Sequence, residues 1–213
     1  TGRRFIGSEF AAMPFPAQLR RRLEILGPTY IKLGQILSLR LDILPEVVTA
    51  ELRGLLSHLP PVPFEAIVEV IEADLGRPLD EMFAEVDPET LGSASIAQSH
   101  RALTLAGDQV ILKVVKPGIR ELLYRDMELL RLVGVVLQVI VPRYQPSRII
   151  EEFCDYTLRE ADMVREAENS QTFRVNFADM PDIVFPAVYR ELSGTDVLCM
   201  DFLEGVEPSS EVV

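Results

Sequence analysis

Apolar residues in the first third of the chain recur at three- and four-residue steps, and prolines cut the pattern into short segments. Residues 17–26 read as a short basic helix. Pro28 suits a first helical position, and 29–41 carry Ile31, Leu33, Ile36, Leu37 and Leu39 at helical spacing. A third helix is predicted over 45–56, through Val47, Val48, Leu52, Leu55 and Leu56. A fourth is predicted over 64–75, through Ile67, Val68, Ile71 and Leu75, with Gly76 as its C-terminal cap. Strand signals take over from 91 to 115, and Pro117-Gly118 closes them. Residues 119–141 then read as a long helix with Leu122, Leu123, Met127, Leu130, Val133, Val136 and Leu137 inward. Residues 146–177 read as a second long helix. Short strands are predicted at 184–185, 188–189 and 197–202, divided by Pro186 and the turn Ser193-Gly194. The expected fold class is α+β. A helical extension over 1–80 precedes a small antiparallel sheet with two long helices over 81–206. Residues 207–213 form a polar tail that reads as an arbitrary stop.

Composition narrows the function classes. The chain has 213 residues, 48% hydrophobic and 25% charged, which describes a folded protein. A net charge of −12 argues against a general nucleic-acid binder, which needs a basic footprint. The positive charges crowd the start at Arg3, Arg4, Arg20, Arg21 and Arg22, as a solvated helix face or as an approach to an anionic membrane. Cys154 and Cys199 lie far apart with no nearby companion, so neither a metal site nor a disulfide framework is indicated. His58 and His100 fit no triad or metal spacing, and His100 reads as structural. The apolar run 132–141 is shorter than the ~20 residues a membrane span requires. A cytoplasmic or peripheral membrane location, on the inner face, is therefore expected.

The stretch that carries chemistry lies between 91 and 119. Gly92-Ser93-Ala94-Ser95, continuing Ile96-Ala97-Gln98, is a turn of small residues whose backbone amides can approach phosphate oxygens. After the turn at Ala106-Gly107-Asp108, Lys113 stands among branched apolar residues of a strand. Such a lysine either snorkels at an edge or turns inward to a partner. An unpaired buried charge is costly, so the inward case needs a carboxylate. In protein kinases the lysine of a comparable strand grips nucleotide phosphates. Lys116 is the rival for that role, at the strand end before Pro117-Gly118.

Four motifs stand in order: Lys32-Leu33-Gly34-Gln35, the small-residue loop, Lys113 with Lys116-Pro117-Gly118, and Glu160-Ala161-Asp162 continuing to Glu166. Together they closely resemble the UbiB-like atypical kinase family, which supports coenzyme Q biosynthesis, over residues 27–206. The resemblance implies a kinase-like small lobe preceded by a helical K-x-G-Q extension. Lys113 and Glu166 would be the catalytic ion pair. Gly92, Ser93, Ala94, Ser95, Met200 and Phe202 would line the nucleotide site, the last two near adenine. Lys32, Gln35, Glu160 and Asp162 would gate the cleft. The family usually has alanines where this chain has Gly92 and Ser93.

The implied cofactor is ATP. The implied partners are nucleotide and, beyond it, a lipid or membrane surface and quinone-biosynthesis proteins, with no nucleic acid. No H-R-D-type loop or D-F-G site occurs in the sequence. The larger lobe that would bring Mg²⁺ ligands is thus expected to be absent, and this stretch alone is expected not to turn over ATP. The competing expectation is a non-catalytic lipid- or partner-binding module. Lys113–Glu166 would then be a plain structural ion pair, Glu160 and Asp162 a solvated acidic face, and Lys32 and Gln35 ordinary surface residues.

Overall fold

The computed structural model describes residues 13–55 and 60–205. Arg3, Arg4, Leu56, His58 and the tail 207–213 lie outside the described residues. Seven α-helices and one four-stranded antiparallel sheet are described, an α+β architecture as expected. They group into two compact units, each built from two stretches of chain: residues 1–59 with 120–158, and residues 60–119 with 159–213.

The first unit is helical. It holds α1 (Phe15–Leu26), α2 (Pro28–Leu37) and α3 (Glu46–Leu52), with nearly all of α5 (Ile119–Ile140) and α6 (Pro146–Glu160). Leu23, Ile31, Val48, Leu52 and Leu55 are buried among the first three helices. Gly34 is fixed by packing: a Cβ there would lie 2.8 Å from Leu23 Cδ1 and closer still to Leu55 Cδ1. Thr29 Oγ1 donates to Asp126 Oδ2 at 2.6 Å, tying α2 to α5. The arginines of α1 are largely engaged within the unit, Arg20 by Glu51 at 2.9 Å and Arg21 by Glu24 at 3.0 Å.

On α5 the expected inward residues divide. Leu123, Met127 and Leu130 are buried, whereas Val133, Val136 and Leu137 are exposed. The buried stripe continues instead through Gly134, where a Cβ would meet Ser147 Cα of α6 at 3.3 Å and Ile150 Cδ1 at 3.0 Å. The close crossing at glycine turns the neighbouring valines outward.

The second unit holds α4 (Phe64–Leu75), β1 (Phe83–Ser93), β2 (Ala97–Thr104), β3 (Gln109–Val115), α7 (Met163–Asn176) and β4 (Val197–Asp201). The sheet order is β1-β2-β3-β4, every pair antiparallel. Val110, Leu112 and Val114 turn one way and bury with Ile67 and Ile71 of α4, Ala102, Val197 and Cys199. The alternate positions, Ile111 and Lys113, face the other side. Helix α4, placed by the sequence pattern in the leading extension, thus closes one face of the sheet. It also bears Asp74, whose carboxylate accepts the amides of Thr195 (3.1 Å), Asp196 (2.8 Å) and Val197 (3.0 Å).

Three other boundaries differ from the sequence expectation. The strand signals begin at 91, whereas β1 begins at Phe83 and runs through Asp87-Pro88-Glu89. An edge strand with register shifts tolerates a proline that a central strand would not. The strands expected at 184–185 and 188–189 reduce to an isolated bridge between Val188 and Met200, the Ala187 amide being taken by Asp201 Oδ2 at 2.8 Å. The single helix expected over 146–177 is two. The chain breaks at Ala161-Asp162, where Asp162 is extended (φ −101°, ψ 95°).

Candidate functional site

The break before α7 sets the site. Asp162 Oδ1 accepts the Arg165 amide at 3.1 Å as an N-cap, so α7 starts afresh at Met163. Met163 and Ala167 are buried, which leaves Glu166 on the flank of the first turn. Both its oxygens meet the Lys113 ammonium, at 2.6 and 2.7 Å. The pair is neither sealed nor free: the lysine side chain is 31% exposed and the glutamate 36%. Because it is wet, its contribution to stability is small, of order 0–1 kcal/mol. What it fixes is direction.

Strand register decides which loop residues stand with Lys113. Directly opposed residues share a face of the sheet. Lys113 is opposite Ser99, and Ser99 is opposite Gly92, so these three line one face. Ser93 is opposite Gln98, and Gln98 opposite Val114, on the face packed against α4. Ser93 Oγ is buried there with no hydrogen-bond partner among the described residues. Ala94 and Ser95 form the turn itself, closed by Ala94 N–H to the Ala97 carbonyl at 2.9 Å. Ser99 is a residue the sequence reading passed over. The alternation along β2, with the length of the Ala106-Gly107-Asp108 turn, carried enough to place it across from Lys113.

Lys116 differs from Lys113 in every respect. It is 8% exposed, and its ammonium donates to two carbonyls, Ala94 at 2.7 Å and Pro60 at 3.4 Å. Burial pushes its pKa below the ordinary lysine value. His100 belongs to the structural interior. The Gln98 amide nitrogen donates to His100 Nε2 at 2.9 Å, so Nδ1–H donates to the Asp87 carbonyl at 2.8 Å. The same amide group brackets Val62, accepting its N–H at 3.0 Å.

Met200 sits on β4 opposite Ile111, on the Lys113 face. Phe202 follows the strand, with the Arg101 guanidinium 4.4 Å from its ring centroid. Glu85, Leu103 and Gln109 join Arg101 and Phe202 around a hollow of about 300 Å³. In the helical unit, Lys32 and Gln35 line one groove of about 440 Å³ together with Arg40, Glu152 and Tyr156. Lys32 Nζ stands 5.4 Å from the Tyr156 ring centroid. Glu160 is the last residue of α6, and Asp162 acts as a cap, so the E-x-D pair does not lie on one helix. Among the described residues no cluster of three or more His, Cys, Asp or Glu side chains is arranged to hold a metal ion.

The profile of the ABC1 atypical kinase-like domain matches residues 54–211. The chain belongs to that family. It is 38% identical over 208 residues to the chloroplastic protein Activity of BC1 complex kinase 1 of Arabidopsis thaliana, covering 94% of this chain and 30% of that one. It is 36% identical over 192 residues to a probable protein kinase UbiB of Marinobacter nauticus, covering 89% and 35%. The chain thus spans about a third of the length of these relatives. Among solved structures it is similar to a Mycobacterium tuberculosis protein determined in complex with erythromycin, with a TM-score of 0.62 and 27% identity. That likeness covers 81% of this chain and 44% of the other. The ABC1-family chain described here therefore corresponds to the small-lobe part of longer kinase-like proteins. No helix among its described residues is long and apolar enough to cross a membrane.

Proposed function

We propose that this chain forms the phosphate-gripping part of an ATP-binding atypical kinase or ATPase that serves ubiquinone or other isoprenoid-lipid biosynthesis. The observation that carries the reading is the Lys113 ammonium, held by both oxygens of Glu166 on the face that also bears Gly92 and Ser99. A lysine oriented in this way can turn its N–H bonds to the α- and β-phosphates while the glutamate keeps its position. The turn at Ala94 and Ser95 would cover the phosphates with backbone amides, and Met200 and Phe202 would flank adenine. Lys32, Gln35, Glu160 and Asp162 would govern access. Mg²⁺ would arrive with the polyphosphate and take its protein ligands outside the residues described.

The test is a titration of the protein, as expressed from its own gene, with MgATP and MgADP. Lys113→Met is expected to weaken binding tenfold or more, and Glu166→Gln less. Unchanged binding in Lys113→Met would refute the reading.

One observation favours a second reading, a lipid- or partner-binding module. The outer half of α5 exposes Leu132, Val136, Val139 (81% exposed) and Ile140 in succession. Flotation with anionic vesicles tests it, and absence of binding at both low and high salt removes the lipid form of it.

A further inference from the structure

Lys116 is a buried cation whose hydrogen-bond partners are carbonyls, so its desolvation is offset by hydrogen bonds alone and not by a carboxylate among them. It continues the alternation of Val110, Leu112 and Val114, so its side chain leaves the strand on the α4 face, opposite to Lys113. From there it reaches the Ala94 carbonyl at the tip of the small-residue turn. Its own backbone amide donates to the Ile96 carbonyl at 2.9 Å, and Ala94 N–H to the Ala97 carbonyl at 2.9 Å. The turn is therefore gripped from beneath at Ala94 and at Ile96. Between them lies Ser95, half-exposed, whose amide has no acceptor among the described residues.

The peptide bond settles where that amide points. In a trans peptide the carbonyl of one residue and the N–H of the next lie on opposite sides, and no described peptide is cis. Drawing the Ala94 carbonyl down to Lys116 turns the Ser95 N–H up, to the side where Lys113 stands. We propose that Lys116 is a positioning residue. Its ammonium latches the Ala94 carbonyl so that the Ser95 amide is presented, ready-oriented, to the polyphosphate of a nucleotide gripped by Lys113. The role rests on the nucleotide reading above and adds to it a second lysine that acts without touching the ligand. Proline at 60, whose carbonyl takes a second ammonium bond, anchors the latch to the segment leading into α4.

A phosphate-orienting latch acts on the phosphates alone, which a merely structural lysine would not. The measurement is calorimetric titration of the gene-encoded protein with MgADP and, separately, with adenosine. Lys116→Met is expected to weaken MgADP at least tenfold while adenosine changes less than twofold. Lys116→Gln, which keeps an N–H donor without charge, is expected to hold MgADP within about threefold of the parent. Parent-like MgADP affinity in Lys116→Met overturns the latch, and so does Lys116→Gln as weak as Lys116→Met. Should Lys116→Met fail to fold by circular dichroism, Ser95→Pro, which deletes the presented amide at the exposed tip, takes its place. It should lose MgADP tenfold and keep adenosine, and full retention of MgADP overturns the proposal. Binding that depends on Lys113 but not on Lys116 or Ser95 sinks the latch alone. A parent protein with no nucleotide affinity sinks both readings.

Discussion

Replacing Asp74 with alanine should loosen α7 from a distance. The Asp74 carboxylate, on α4, accepts three consecutive amides at the entry to β4. Hydrogen bonds to a charged acceptor net about 1.5–3 kcal/mol each. The Thr195 amide is exposed and recovers water on mutation, so the part-buried Asp196 and Val197 amides decide the cost. Two such bonds, partly re-satisfied by water, give a loss of about 2–4 kcal/mol in Asp74→Ala. At about 2–4 °C per kcal/mol for a chain of this size, that is a drop in Tm of roughly 5–15 °C. The same turn holds α7, since the Thr195 carbonyl accepts the Met163 amide at 3.4 Å, one helical turn before Glu166. Gly194 supplies a cross-check. A Cβ there would stand 2.7 Å from Asp74 Cγ, closer still to Oδ2 and 3.0 Å from Oδ1, so Gly194→Ala is costly only while the carboxylate is present. The assay is urea denaturation of both single variants and the double variant. The double variant is expected to lose clearly less than the sum, because the two sites are in contact. Strict additivity, or a loss below ~0.5 kcal/mol in Asp74→Ala, would refute the reasoning.

Gly34→Ala sets the helix-propensity gain of about 1 kcal/mol against a methyl driven between buried Leu23 and Leu55. Overpacking of this kind costs about 1–3 kcal/mol, so a net loss in chemical denaturation is expected, partly relieved in a Leu55→Ala background. The Cys199 thiol, fully buried, is pushed up to about 12 by burial first and by the nearby Glu191 and Asp201 charges second. It should resist a disulfide reagent at pH 8 until the protein is unfolded. The sign of the stability effect follows. The unfolded thiol ionises from about pH 9 while the folded one does not, so this contribution is intact below pH 9 and is lost as pH climbs towards 12. A Cys199→Ala variant with the same alkaline loss would refute the assignment.

The local pattern carried the fold where elements are amphipathic and cleanly capped. Helix α4 begins after Pro63 and ends at Gly76, in the left-handed conformation (φ 68°), as its pattern predicts. Lys113 was legible because one charge in a run of branched apolar residues requires a partner, and Glu166 is that partner. Long-range facts were not legible. Helix α6 and α7 share a continuous helical pattern, and only the extended backbone at Asp162 separates them. That break assigns Asp162 to capping. Which way Ser93 turns depends on cross-strand register, and the irregular pairing of β1 hides it from the sequence alone. The exposure of Val133, Val136 and Leu137 depends on where α6 crosses α5, which a single glycine decides.

On the nucleotide reading proposed above, the different settings of Lys113 on β3 and Lys116 just past its end explain why so weak an ion pair can matter. A half-exposed Lys113–Glu166 pair adds little to stability. Breaking its bonds to reach a phosphate is correspondingly cheap, which a sealed pair would not permit, since opening a buried pair costs several kcal/mol. The rigid parts lie around it: the Asp162 cap that starts α7, the Asp74 carboxylate behind β4, and the Lys116 ammonium beneath the turn. The Asp74 carboxylate, with three amide bonds, is bonded more often than the pair, and the Lys116 ammonium is shielded more deeply. β3 thus carries a half-exposed charge on its open face, and the residue just past its end carries a shielded one on the closed face, three residues apart in sequence. On that nucleotide reading, exchanging the two environments would remove both proposed roles, because a wet Lys116 could not hold a peptide carbonyl and a sealed Lys113 could not leave its glutamate.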